Sequence, residues 1–490
     1  MNGTNFSGEL AQRCSCSSCL VNAKTGETIT DLPRLIAQSG GFFLEQGLEP
    51  GDRIVIACRL TPASVLAYLG AIYAGLVAVP IDSSILTSSA ATYVELTGAR
   101  ALWSENGTTP PVGIRPDVLW LCADFTKSSG GAVPPEPRES EDLAALMPTS
   151  GTTGAPRFVM VSHGNLMANT AAIVRSQRIG EGENAMLILP LSYCFGASIL
   201  HSHLYCGGSV VLDSRFMFPD KVLRSASEYG CTTFAGVPSV YKILLSRSSI
   251  STLQIPGLRR VIQAGGHLEW RHIELFTSLM PNVPFYVMYG QTEATSRITC
   301  LEPERLLEKK GSVGRPLDNL SLRIVDDAGV VLPPHKNGFI QVCGPSVCHG
   351  YWNDPEGTRK VFRDGWLNTN DSGKIDEEGY VWIEGRNGDF LKVRGKRLSF
   401  GEIEQKVLCV KGVREAATCA VLHEEAGEAP ALFVVLEDGV SHEEMVNRIK
   451  RSLPSAWTCE KIRIMDHLPL TDRGKLDRAA LICLATYENP

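Results

Sequence analysis

The chain has 490 residues, 44% of them hydrophobic, a size that suits two or three domains built around a large core. Its net charge of −6 lacks the basic excess of a nucleic-acid binder. Fifteen cysteines, odd in number and mostly scattered, exclude a disulfide scaffold and point to reduced thiols in a cytoplasm.

The start, MNGTNFSGELAQRCSCSSCL, has no apolar run behind a positive segment, so no secretory signal is expected. Cys14, Cys16 and Cys19 have a spacing that suits a soft metal. No fourth ligand stands nearby, so a polar, mobile terminus is expected instead. Residues 32–47 have a helical period, and 52–58 read as a buried strand. Residues 61–81 carry no charge and are long enough to span a membrane. Gly70, Gly75 and Pro80 interrupt them, which favours a buried helix followed by a buried strand. A proline-rich, charged connector, AVPPEPRESE, occupies 132–141. Short apolar strands are then expected at 185–190, 208–213, 232–238, 259–266 and 285–290, with helical stretches between them. That alternation predicts an α/β fold with mostly parallel sheets, and catalytic groups on loops at the carboxyl ends of the strands.

From Leu322 the texture becomes β-rich, with strands near 322–326, 339–344 and 380–386 and turns at Asp327–Gly329 and Glu378–Gly379. The last hundred or so residues alternate helix (402–410), strands (416–423, 431–437), helix (442–453) and strand (461–468). They read as a small α+β unit large enough to fold by itself. The expected organisation is a large N-terminal domain, 1–385, and a small mobile domain, 386–490, with a hinge near 386–390.

Residues 148–160 read PTSGTTGAPRFVM. Glycines free backbone N–H groups to face phosphate oxygens, and serine and threonine hydroxyls add donors. This is not a Walker A sequence, and a surface linker has similar composition. Other stretches decide the matter. YGQTEAT (289–295), GSVGRP (311–316), DGWLNTNDSGKIDEEGYVWIEGR (364–386), KVRGKRLSFGEIE (392–404) and LPLTDRGKLDR (468–478) follow in order. Together with the loop they resemble the acyl-adenylate-forming superfamily of acyl-CoA synthetases, aryl and fatty acid ligases, peptide-synthetase adenylation domains and firefly luciferase.

The resemblance implies a reaction between a carboxylate and the α-phosphate of ATP that expels pyrophosphate, followed by acyl transfer to a thiol. Both first partners are anions, so the site must neutralise charge and align the nucleophile. ATP and Mg2+ are the implied cofactors. The phosphate clamp would comprise Thr149, Ser150, Gly151, Thr152, Thr153, Gly154 and Arg157. Glu293 would bind magnesium, and Thr292 would donate to the α-phosphate. Tyr289 and Gly290 would meet the adenine, with Gly265, Gly266 and His267 beside it. Asp371 would accept from the ribose hydroxyls, helped by Arg386. Lys475 would be the catalytic lysine. Gly388 would be the pivot, bringing Lys392 and Gly395 of the thiolation loop to the site. The acyl pocket would draw on Tyr193, Phe195, Gly196, Ala235, Gly236 and Gln263.

Three departures stand out. Arg157-Phe158 replaces the usual Lys-Gly, which predicts a stiffer, bulkier loop. Asn370 replaces the glycine of T-G-D, and asparagine tolerates unusual backbone angles. Tyr193 replaces a histidine-like position and is a candidate gate to the acyl pocket. The stretch PLSYCFGASILHSHL (190–204) has no acid to pair with an α-ammonium, and an unpaired ammonium in an apolar pocket is costly. A fatty, short-chain or aromatic acid is therefore expected. The acceptor is coenzyme A or the phosphopantetheine arm of an acyl carrier protein, with Arg394, Lys396 and Arg397 as candidate cations for the phosphates of CoA. The alternatives are a stand-alone amino-acid adenylation enzyme, a luciferase-like oxidase and a non-catalytic adenylate-binding relative.

Overall fold

The structure, a computed structural model, describes residues 5–107, 109–127, 130–150, 156–253, 255–386, 390–393, 396–423, 427–437, 439–454, 457, 459, 461–470 and 476–486. Contact density groups residues 1–322, 341–369 and 377–381 into one unit and 323–340, 370–376 and 382–490 into a second.

Fifteen strands belong to the two large sheets. In chain order they are β1 (Leu20–Asn22), β2 (Glu27–Ile29), β3 (Arg53–Cys58), β4 (Val77–Asp82), β5 (Ala101–Ser104), β6 (Leu119–Leu121), β7 (Leu143–Ser150) and β8 (Pro156–Ser162), then β9 (Asn184–Leu187), β10 (Ser209–Leu212), β11 (Thr233–Gly236), β12 (Arg260–Gln263), β13 (Phe285–Tyr289), β14 (Thr299–Leu301) and β15 (Arg315–Pro316). One sheet has six strands in the order β6-β5-β3-β4-β7-β8, parallel except for the β7–β8 hairpin. The other has nine, in the order β15-β14-β13-β12-β11-β9-β10-β1-β2. Its centre, β13 through β1, is parallel throughout, and antiparallel strands close both edges. The expected α/β architecture is thus observed.

The uncharged stretch at 61–81 folds as expected into helix Pro62–Tyr73 and strand β4. All twelve residues of that helix are buried, and Thr61 caps it by accepting from the Ser64 N–H. Among the described residues no helix is long and apolar enough to cross a membrane.

The expectation of a mobile start is corrected. Helix Phe6–Arg13 and β1 are built into the fold. The Asn5 amide donates to the carbonyls of Ile72, Tyr73 and Glu136, each at 3.0 Å. The Phe6 N–H donates to His163 Nδ1 at 3.0 Å, and the Ser18 hydroxyl donates to the Gly207 carbonyl at 2.8 Å. These long-range bonds immobilise a segment whose composition alone reads as polar coil. All fifteen cysteines are free thiols, Cys14, Cys16 and Cys19 among them.

Five further strands form a sheet of their own: β16 (Ser321–Val325), β17 (Gly338–Cys343), β18 (Phe362–Arg363), β19 (Trp366–Ile375) and β20 (Val381–Arg386). The β18–β19 hairpin turns on Asp364 and Gly365, both at positive φ, the backbone that a two-residue hairpin requires.

The second unit carries β21 (Phe390–Val393), β22 (Lys396–Ser399), β23 (Val413–His423), β24 (Gly427–Leu436) and β25 (Lys461–Ile464) in one sheet, ordered β22-β21-β24-β23 with β25 beside β24. Successive residues of a strand point to opposite faces. On β24, Leu432 and Val434 pack with Ile403, Val407, Met445 and Ile449. Ala431, Phe433 and Val435 pack with Leu468, Leu481 and Ala485 on the other side. Both faces are covered by helices, and the apolar run at 431–436 follows from that.

Candidate active site

The parallel strands β9, β11, β12 and β13 are neighbours, and their carboxyl ends deliver four of the expected groups of residues side by side. After β9 the chain reaches Tyr193, which precedes helix Cys194–Tyr205. β11 ends in Ala235 and Gly236. β12 ends in Gln263 and leads to Gly265, Gly266 and His267. β13 ends in Tyr289 and leads to Gly290, Thr292 and Glu293.

Local contacts tie these ends together. Gly265 has φ +83°, and a side-chain carbon there would lie 2.7 Å from the Tyr193 hydroxyl oxygen. Only glycine lets that tyrosine lie against this turn. Gln263 is buried, and its amide donates to the Gly266 carbonyl at 2.7 Å, which holds the same turn shut. His267 is exposed. The Thr292 hydroxyl donates to Cys194 Sγ at 3.4 Å, and the Ser296 hydroxyl donates to the Cys194 carbonyl at 3.1 Å. Cys194 therefore joins the acyl-pocket candidates to the Thr292–Glu293 turn. Phe195 is buried, and the Arg297 guanidinium stacks on its ring at 4.3 Å. Burial lowers the pKa of that guanidinium to about 10.

The turn itself is tightly constrained. A side-chain carbon at Gly290 would sit 1.8 Å from the Ser296 carbonyl oxygen. Thr295, although β-branched, has φ +66°. Such a residue costs roughly 1–3 kcal/mol and persists only where its surroundings enforce it. Here the Thr295 hydroxyl donates to the Ser346 carbonyl at 2.7 Å, and the Cys348 N–H donates to the Glu293 carbonyl at 2.9 Å. One oxygen of the Glu293 carboxylate accepts from the Tyr351 hydroxyl at 2.8 Å. Burial and the neighbouring carboxylate raise the Tyr351 pKa far above the ordinary tyrosine range, so this hydroxyl stays a donor.

The stretch expected to form a phosphate loop falls between β7 and β8. Thr149 lies opposite Arg157 and Ser150 opposite Pro156, while Gly151, Thr152, Thr153 and Gly154 lie outside the described residues. The expectation for Phe158 is corrected. It is 3% exposed on β8 and packs edge-on against Tyr93, with ring centroids 5.5 Å apart, so it belongs to the core and not to the loop. Arg157 alternates to the other face. Its guanidinium lies 5.5 Å over the Tyr351 ring and 3.6 Å from Asp354.

In the second unit, Asp371 is buried on β19. Asn370 before it has φ +59°, the left-handed backbone that explains asparagine in place of glycine. Arg386 ends β20, Lys392 lies on β21, and Lys396 and Arg397 lie on β22. Gly388, Arg394, Gly395 and Lys475 lie outside the described residues.

The donors at the Thr292–Glu293 turn fit magnesium. Among the described residues no group of three or more His, Cys, Asp or Glu is placed to hold a metal. Glu293 offers a single hard carboxylate, and magnesium takes most of its shell from phosphate oxygens and water. Sequence reasoning missed Tyr351, Asp354 and Cys194, which have no spacing signal that ties them to Glu293, Arg157 or Thr292.

The chain resembles known proteins over most of its length. Residues 11–352 match the AMP-binding enzyme family, and residues 402–475 match the AMP-binding enzyme C-terminal domain. A feruloyl-CoA synthase of Amycolatopsis is 27% identical over 461 residues, 92% of each chain. A 2-succinylbenzoate–CoA ligase of Bacillus mycoides is 31% identical over 343 residues, 70% of each chain. Among solved structures, the o-succinylbenzoate CoA synthetase of Bacillus subtilis with its acyl-adenylate intermediate has a TM-score of 0.87 at 26% identity, covering 98% of both chains. ATP-bound MatB of Rhodopseudomonas palustris has a TM-score of 0.85 at the same identity and coverage. The first family match spans well over half of the sequence, and the chain belongs to the AMP-binding enzyme family, the acyl-adenylate-forming acid–thiol ligases.

Proposed function

We propose that the protein activates an aromatic carboxylic acid as its acyl-adenylate and passes the acyl group to the thiol of coenzyme A. The observation that carries this reading is the convergence of Tyr193, Gly265 and the Thr292–Glu293 turn at the carboxyl ends of neighbouring parallel strands. The acid class is supported by two matched relatives named for aromatic acids, the feruloyl and 2-succinylbenzoate ligases. It is also supported by the absence of any acidic side chain from 190–204, which leaves an α-ammonium unpaired there.

In this reading the hairpin loop, with Thr149, Ser150 and Arg157, grips the β- and γ-phosphates. Tyr289 covers the adenine, and Asp371 and Arg386 take the ribose. The Thr292 hydroxyl exchanges its weak thiol contact for an α-phosphate oxygen. Lys475 bridges the acyl carboxylate and the α-phosphate while the new bond forms. Glu293 would hold magnesium, which would supply neutralisation of the phosphate charge. The acyl chain lies between Tyr193 and the ends of β11 and β12. The domain 386–490 pivots near Gly388 and exchanges Lys475 for the Lys392–Gly395 segment, where the thiol enters. Fifteen free thiols suit a reducing compartment such as the cytoplasm.

The test is acid-dependent pyrophosphate release from ATP across aromatic, fatty, hydroxy and amino acids, with hydroxylamine trapping the adenylate. Aromatic acids are expected to respond, and CoA to yield the thioester. A response confined to amino acids would overturn the acid class. Transfer only to a carrier protein would overturn the acceptor.

A further inference from the structure

Tyr351 is 6% exposed and fixed on every side. Its ring meets Phe362 edge-on at 5.9 Å and carries the Arg157 guanidinium at 5.5 Å. Its backbone bridges Val159 of β8, and its N–H donates to the Thr358 hydroxyl at 2.9 Å. On either side, the Met160 N–H donates to the Gly350 carbonyl at 2.9 Å and the Trp352 N–H to the Phe158 carbonyl at 2.8 Å. The segment therefore runs as an added strand along β8, the strand that leaves the phosphate loop. From this platform the Tyr351 hydroxyl reaches a residue 58 positions away, Glu293.

A glutamate on a turn has three side-chain torsions, and a metal ligand gains from having them fixed beforehand. The Cys348 N–H fixes the Glu293 backbone, and Tyr351 fixes one oxygen of its carboxylate. We infer that Tyr351 is a positioning residue for magnesium–nucleotide binding, holding one oxygen of Glu293 so that the other is presented to the metal. Through Arg157, stacked on the same ring and paired with Asp354, the metal ligand and the phosphate loop share one rigid support. The inference rests on the reading of Glu293 as the magnesium ligand.

The experiment is calorimetric titration of ATP with and without magnesium for the wild type, Tyr351→Phe, Glu293→Gln and the double variant. Phenylalanine keeps the ring and its contacts, and magnesium-free ATP affinity within about twofold of wild type serves as the control for folding. Tyr351→Phe is expected to lose about tenfold of the affinity that magnesium adds, the usual scale for removing a partner of a metal ligand. The double variant is expected to match Glu293→Gln alone, because both changes act through one carboxylate. If Glu293→Gln loses the magnesium gain and Tyr351→Phe keeps it, the positioning role is overturned while the ligand reading stands. If Glu293→Gln also keeps the gain, both fall. Additive losses in the double variant would overturn the route through Glu293.

Discussion

Lys475 is expected to act on charge that exists only while the acyl–phosphate bond forms. Its loss should therefore cost rate and spare affinity. Lys475→Ala is expected to slow acid-dependent pyrophosphate exchange by about 10²- to 10³-fold. Calorimetry should find ATP binding within about twofold of wild type. Exchange at the wild-type rate would remove this lysine from the reaction. At this scale the motifs named Glu293, Thr292 and Asp371, because each stands in a short stretch whose order along the chain is informative. They did not name Cys194 or Tyr351. Those side chains meet Thr292 and Glu293 across 98 and 58 residues, and no local pattern encodes such a meeting.

Asn370 shows what an element asks of one position. It holds φ +59° inside the long strand β19, beside the buried Asp371. Asn370→Gly should leave stability within about 0.5 kcal/mol, whereas Asn370→Val should cost about 2 kcal/mol, since a β-branched residue resists the left-handed region. Urea unfolding measures both, and equal losses would contradict this account of the strand. The turn after β13 is stricter still. Gly290→Ala places a methyl group 1.8 Å from the Ser296 carbonyl oxygen, so the turn must reopen. The expected result is loss of pyrophosphate release together with about 1–3 kcal/mol of stability, and normal activity would show that the turn is not the one described. The central strands were legible because buried parallel strands read as continuous apolar runs. The three-residue strands β1, β2 and β6 were not, since three residues carry no period. Phe158 was misjudged for the opposite reason. Its motif assigns it to a loop, while the alternation of β8 turns it into the core and Arg157 out of it.

For the molecule as a whole, three buried histidines set an acid limit. Burial lowers the pKa of His163 to about 4, of His201 to about 3 and of His203 to about 4, from an ordinary 6.5. Arg138 reinforces the shift at His163 and Arg260 at His203, while Asp142 and Glu183 oppose it. Below pH 6.5 the unfolded chain binds protons that the folded chain refuses. Stability is therefore full above pH 6.5 and falls as the pH drops towards 4. Three such groups give a slope of about 4 kcal/mol per pH unit at most. His201 stacks on Tyr68 and lies edge-on to Phe6, so His201→Phe is expected to keep the packing and remove about a third of that slope. Denaturation midpoints measured at pH 7, 6 and 5 would show it, and an unchanged slope would mean that His201 is protonated in the folded state.

The fastening of the N-terminus has a consequence in time. Cys19 and Ser209 are hydrogen-bonded across 190 residues, and β1 pairs with β10, which is made long after it. At cellular rates of synthesis that interval is roughly 10–40 s. During it, β1 has left the ribosome without β10, while the first helix can already meet Leu69, Ile72 and Tyr73. Strand β1 thus completes its pairing only after β10 is made, and a nascent chain halted before residue 209 should leave β1 open to chaperones.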